Sequence, residues 1–331
     1  MIERFYSRGL FLGVRWLVDT LFGWLPFPLL YLFIPLLLLG VIMGIRRWYK
    51  MEANWRLKTV RALASTLAFF GGAVFFFLLL WGFNYGRVPV ETQLGLEPKP
   101  LNLEALKEEL RLETQAIINL RQQIPGITDT AFSEALLPPD LENELRRALE
   151  KRLQYHNFPT SGSVRGFQLY PRGVFLRFSS AGLYFPWTGQ GHVDAGLHPL
   201  QLPSVMTHEL AHGYGFGDEG TCSFWAYLAC IHAAHPAIAY AAHLDYWRDL
   251  AGSYLRYEPQ AYRQFRKELP RGIRADLDAI NETLRQYPDI MPRLRYVAYD
   301  AYLRTQGIKE GMLNYNRVTM LVHAWRSSKQ I

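Results

Sequence analysis

The residues best placed to do chemistry lie in one short stretch, LPSVMTHELAHGYGFGDEGTCSFWAYLAC, residues 202–230. It contains His208-Glu209-Leu210-Ala211-His212, an H-E-x-x-H pattern. On a helix, positions i and i+4 share a face, so both imidazoles can reach one Zn2+. Glu209, one residue after the first ligand, is then placed to take a proton from water activated by that ion. A third ligand should follow. Glu219 is the favoured candidate: it would open the next helix with Ser223 one turn on, and so resembles the gluzincin E-x-x-x-D element. Asp218 is the alternative, because His212, Gly215 and Asp218 have metzincin spacing. Cys222 is a distant third choice. An oxyanion stabiliser is less defined, with Tyr315 and His192 as weak candidates.

Such a motif needs a helix. Pro203 and Ser204 supply a start and Gly215 a stop, which predicts about three turns. Upstream, FQLYPRGVFLRFSSAGLY (residues 167–184) has the aromatic and β-branched content of short strands. The overlapping segment from Val174 to Phe185 reads either as an edge strand able to pair with an extended peptide or as an ordinary sheet strand. Leu103 to Gln123 and Pro139 to Tyr155 read as amphipathic helices. Thr221 to Leu244 carries no formal charge but contains Pro236, so two buried helices meeting there are expected rather than a membrane span. On one helix, Cys222 and Cys230 lie about 12 Å apart, too far for a disulfide. The fold class is α+β, mainly α, with a small sheet.

The chain has 331 residues and a formal net charge of +7. Residues 1–87 hold ten Lys/Arg and three Asp/Glu, whereas residues 88–331 hold twenty-six of each. The excess is confined to the first quarter, which argues against a nucleic-acid-binding domain. There, Thr20–Ile45 and Ala62–Gly86 lack any charged residue. Each is long enough to span a hydrocarbon core, for which about 20 residues suffice. Between them, residues 46–61 carry Arg46, Arg47, Lys50, Arg56, Lys58 and Arg61 against Glu52. Short cytoplasmic loops are rich in Lys and Arg, so this loop is expected inside and the later residues outside. Arg4, Arg8 and Arg15 pull the other way. Three regions follow: an interfacial helix or tail (1–19), a two-helix transmembrane anchor (20–87) and an extracytoplasmic domain (88–331). Leu10, Phe11, Val14, Leu17 and Leu21 recur at helical spacing in the first of these, with Arg8 and Arg15 off that face.

Phe5-Tyr6-Ser7-Arg8, Leu25-Pro26-Phe27, Trp81-Gly82-Phe83-Asn84-Tyr85, Tyr184-Phe185-Pro186-Trp187-Thr188-Gly189, Tyr227-Leu228-Ala229-Cys230 and Gly311–Tyr315 frame the histidine motif. In these the chain resembles the bacterial membrane proteins grouped as domain of unknown function 3810, which look like zincin metallopeptidases. The family pattern has an acid where Glu219 stands. It has E-A-N where this chain reads Thr221-Cys222-Ser223, and Glu where it has Gln190. The expected function is a zinc-dependent metallopeptidase (a hydrolase) in the bacterial cytoplasmic membrane, with lipid and a peptide or protein substrate as partners. A non-catalytic zinc-stabilised scaffold and an intramembrane protease are the alternatives.

Overall fold

The computed structural model describes residues 1–305 and 317–328; the Tyr315 expectation and the Gly311–Tyr315 match lie outside the described residues. The chain is mostly helical with one three-stranded sheet. A π-helical stretch, Glu3–Leu10, runs into α1 (Phe11–Phe22). Two apolar helices follow, α2 (Leu30–Lys50) and α3 (Trp55–Leu80). Both are long and apolar enough to cross a membrane, and almost nothing in the rest of the chain covers them. Asn54 caps α3 by accepting the Leu57 N–H at 2.9 Å.

A short α4 (Val90–Leu94) leads to α5 (Leu103–Gln122) and α6 (Leu141–Tyr155), close to the periodicity boundaries. Leu106, Leu110 and Ile117 of α5 and Leu145, Leu149 and Leu153 of α6 are buried, as an amphipathic stripe requires. Then come β1 (Arg165–Leu169), β2 (Gly182–Phe185) and β3 (Gln190–Asp194). Their order is β1-β3-β2, with β1 parallel and β2 antiparallel to β3, so β2 is an edge. The expected Val174–Phe185 strand is corrected here. Leu176–Phe178 is a 3-10 turn held by Asp194, whose carboxylate accepts the N–H groups of Gly173, Phe175 and Leu176. Only the last four residues pair as strand.

The remaining helices are α7 (Leu202–Gly213), α8 (Glu219–Cys230), α9 (Pro236–Tyr257), α10 (Pro259–Glu268), α11 (Arg271–Arg285), α12 (Pro292–Thr305) and α13 (Arg317–Ser328). Residues 221–244 thus form two buried helices, with Pro236 opening the second. Cys222 and Cys230 are buried and free. Two buried ionic networks cross the bundle. Glu113 of α5 receives Arg326, His243 and the Tyr227 hydroxyl. Asp276 of α11 accepts from Arg121 and Tyr240.

The first helix packs by its Phe11 and Arg15 side. Its apolar stripe splits: Phe11 is buried, whereas Leu10, Leu17 and Leu21 are exposed. Arg15 is 3% exposed; it pairs with Asp19 and donates to Gly189 O at 2.7 Å and to the Tyr184 hydroxyl at 3.2 Å. Arg8 pairs with Glu3 and donates to Asn157 O at 2.8 Å. Neither arginine is a free surface charge. The helix is docked through Arg15 and Phe11 and shows its leucines outward.

Candidate metal-binding site

Leu210 and Ala211 of α7 are fully buried, so the histidine helix is seated in the core. Its other side presses on the sheet. A Cβ added at Gly191 would lie 2.8 Å from the Glu209 Cβ, and one at Gly182 would lie 2.6 Å from Glu209 Oε1. Two strand glycines therefore let Glu209 sit directly against β2 and β3. Neither was distinguishable in the sequence from an ordinary strand-end glycine.

His208 and His212 turn their Nε2 atoms to one point, 3.1 Å apart. After α7 the chain reverses at Gly215, whose φ of 85° lies in the region that favours glycine. The reversal brings the first residue of α8 back under the histidines. Glu219 Oε2 lies 2.9 Å from His208 Nε2 and 3.5 Å from His212 Nε2. Tetrahedral zinc with Zn–N of 2.0–2.1 Å separates its ligand atoms by about 3.3 Å. These three distances bracket that value, so the triangle has the size of one face of such a site.

The other ring nitrogens are held from behind. His208 Nδ1 meets Ser223 Oγ at 3.1 Å, and His212 Nδ1 donates to Phe216 O at 2.8 Å. Such contacts fix ring tautomer and orientation at metal sites. The Trp81 indole N–H, at the end of α3, donates to His212 O at 2.7 Å.

His208, His212 and Cys222 also form a group that could hold a metal ion, with one ligand atom from each inside 4.8 Å. Cys222 Sγ, however, faces His212 Nδ1 at 3.3 Å and Phe216 O at 3.4 Å. That is the side of the ring turned away from His208 and Glu219. Burial pushes the Cys222 thiol up to about 11. Asp218 is committed elsewhere: it caps α8 by accepting from Thr221 N and Oγ1, both at 2.7 Å, and pairs with Arg317 at 2.9 Å. The geometry thus brings together His208, Glu209, His212 and Glu219, and leaves Asp218 and Cys222 outside the triangle.

Glu209 is 6% exposed. Burial raises its carboxyl to about 7, opposed by the neighbouring histidines and a backbone hydrogen bond from Tyr184. Its Oε2 has no hydrogen-bond partner among the described residues. Burial also works to raise Glu219, but His212 and His208 outweigh it and hold that carboxyl well below the ordinary range. Two acids ten residues apart, on α7 and α8, are thereby driven in opposite directions, one toward a proton carrier and one toward a permanent anion.

His192 does not join them. Gly191 turns toward α7, so the next residue points to the opposite face of β3, where His192 is fully buried. The Gln190 amide is spent on the Leu29 N–H at 2.8 Å, which ties the start of α2 to the sheet.

A cleft of about 1110 Å³ leads to the triangle. Its walls are β2 with Trp187, the α7 and α8 residues above, and Phe70, Val74 and Phe77 of α3. Asp245 and Asp249, one turn apart on α9, also line it. Neither acid stands out in the sequence as a site residue, and the signal for Arg15 is an oppositely charged residue four places on in an apolar helix.

Residues 6–323 match the family described as protein of unknown function DUF3810. The chain belongs to that family. No curated protein and no solved structure matches it. The family match spans α1, both apolar helices and the histidine triangle.

Proposed function

We propose that the protein is a membrane-anchored zinc-dependent metallopeptidase whose large domain lies outside the cytoplasm. One observation carries the reading: His208, His212 and Glu219 bring three ligand atoms to within 2.9–3.5 Å of one another, beside a buried carboxylate with an unpartnered oxygen. His208 and His212 supply imidazole and Glu219 the charge, a donor set that suits zinc with one position left open. The bound ion would make water a nucleophile near neutral pH and polarise a carbonyl.

The chain's own residues supply the rest. Glu209, with a carboxyl raised to about 7, takes the proton from the attacking water and returns it to the leaving amine. The free edge of β2, at the cleft wall, pairs with an extended peptide backbone. The surrounding apolar residues exclude bulk water and so strengthen the electrostatics of the site.

The orientation follows from the basic loop. Arg8 and Arg15 are consumed by contacts with the large domain, which leaves the Lys/Arg cluster of residues 46–61 as the main topological signal. The intramembrane alternative loses support because the triangle is level with Trp81, at the end of α3 rather than inside it.

Glu209→Gln should retain one zinc per chain and lose about 10²–10⁴-fold in peptide cleavage. Zinc retained with no Glu209-dependent cleavage in the wild type would favour the scaffold reading. Purified protein that binds no zinc would refute both.

A further inference from the structure

The cleft is unusual in what forms its wall. Phe70, Ala73, Val74, Phe77, Leu78 and Trp81 line it from α3, at the i, i+3, i+4, i+7 spacing of one helix face. The same helix is the more apolar of the two membrane-length helices. Its C-terminal end is fixed to the triangle, since Trp81 donates to His212 O and its ring lies 5.9 Å from the His212 ring. From Trp81 back to Phe70 the lining face runs about 16 Å along α3, at 1.5 Å per residue. The cleft therefore begins at the histidines and continues down the side of an apolar helix, where Phe70 and Val74 are exposed.

The edge strand stands opposite. β2 ends at Phe185, whose ring packs 5.0 Å from Trp187, and Trp187 packs 5.8 Å from Phe77. The strand that would align a peptide backbone and the apolar wall of α3 are thus joined by continuous aromatic contact. An occupant aligned on β2 has its polar part at the histidines and its next residues against α3.

We infer that the substrate is a membrane-spanning polypeptide, held with its apolar segment against α3 and cut at a peptide bond just outside that segment. The inference rests on the peptidase reading and adds the substrate class to it. A water-soluble peptide would fill only the β2 end and leave the α3 face in lipid. A peptide that continues into an apolar span fills both. With α3 facing lipid, the preference comes from close packing of the two apolar segments and from confining the substrate to the bilayer beside the site, not from transfer out of water.

The test uses zinc-loaded full-length protein in proteoliposomes of phosphatidylethanolamine and phosphatidylglycerol. Two peptides share one juxtamembrane sequence; one continues into an apolar stretch of about 20 residues and the other ends in polar residues. The expected result is Glu209-dependent cleavage of the spanning peptide, next to its apolar stretch, at least about tenfold faster than of the polar one. Equal rates would overturn the substrate class and leave the peptidase reading standing. Cleavage of neither, with zinc bound, would overturn the peptidase reading and the substrate class with it. A second measurement does not need turnover. A benzophenone-bearing phenylalanine replacing Phe70 in Glu209→Gln protein should cross-link to the spanning peptide. Cross-links to phospholipid alone would overturn the inference.

Discussion

At the scale of residues, the two histidines of α7 illustrate how much a pattern can say. Spacing alone requires that His208 and His212 share a face, and their Nε2 atoms do meet. The placement of Ser223 one turn after Glu219 also anticipates its contact with His208 Nδ1. What spacing cannot say is how the loop between the helices turns. Asp218 and Glu219 are neighbours, and only the reversal at Gly215 sends one to cap α8 and the other to the histidines. His192 shows the same limit, because strand register decides its face and no local pattern does. Its burial has a consequence for stability. Desolvation lowers its pKa to about 4, from about 6.5 in an unfolded chain. The unfolded state therefore binds more protons between these values, and folding stability falls as pH drops from about 6.5 to about 4. His192→Leu should remove this contribution, up to roughly 1.4 kcal/mol per pH unit, and flatten the acid limb of a denaturation-versus-pH curve. Parallel curves for the two proteins would count against it.

At the scale of elements, α7 is positioned by the sheet as much as by its own apolar residues. At Gly191 of β3 an added Cβ would meet both the Cβ of Glu209 and its backbone carbonyl carbon, at 2.8 and 3.2 Å. A backbone neighbour cannot swing aside as a flexible side chain can. Gly191→Ala should therefore destabilise the domain by about 1–3 kcal/mol through overpacking. On the peptidase reading it should also lower kcat, up to about 10²-fold, for a displacement of Glu209 near 1 Å. Thermal unfolding and turnover of the same preparation would check both. The helices were legible because their periodicity extends over many residues, as in α5 and α6. The strands were not, because they are only four or five residues long and the turn at Leu176–Phe178 has the same aromatic composition.

At the scale of the whole molecule, the N-terminal helix, the apolar pair and the large domain meet at the histidine triangle. Arg15 reaches Tyr184 of β2 and Gly189 beyond it, Trp81 reaches His212, and Gln190 holds the start of α2. The sequence separates cleanly into an apolar quarter and a charge-balanced remainder, but that boundary hides these contacts, which join residues more than a hundred positions apart. Arg15→Met would leave the Asp19 carboxylate buried and unpaired, with only the Ser163 N–H still donating to it. The expected cost is about 3–5 kcal/mol, read as a lower Tm of the full chain in detergent, and Arg15→Met with Asp19→Leu should recover most of it. No recovery in the double variant would mean that Arg15 acts through Tyr184 and Gly189 instead.

The proposed zinc centre is built from two histidines and Glu219. Zinc K-edge X-ray absorption on the purified full-length protein tests it directly. The expected shell is four-coordinate, of nitrogen and oxygen only, at about 2.0–2.1 Å. A sulfur scatterer at about 2.3 Å would put Cys222 in the place given to Glu219, and protein without zinc would mean that the histidines hold no zinc centre at all.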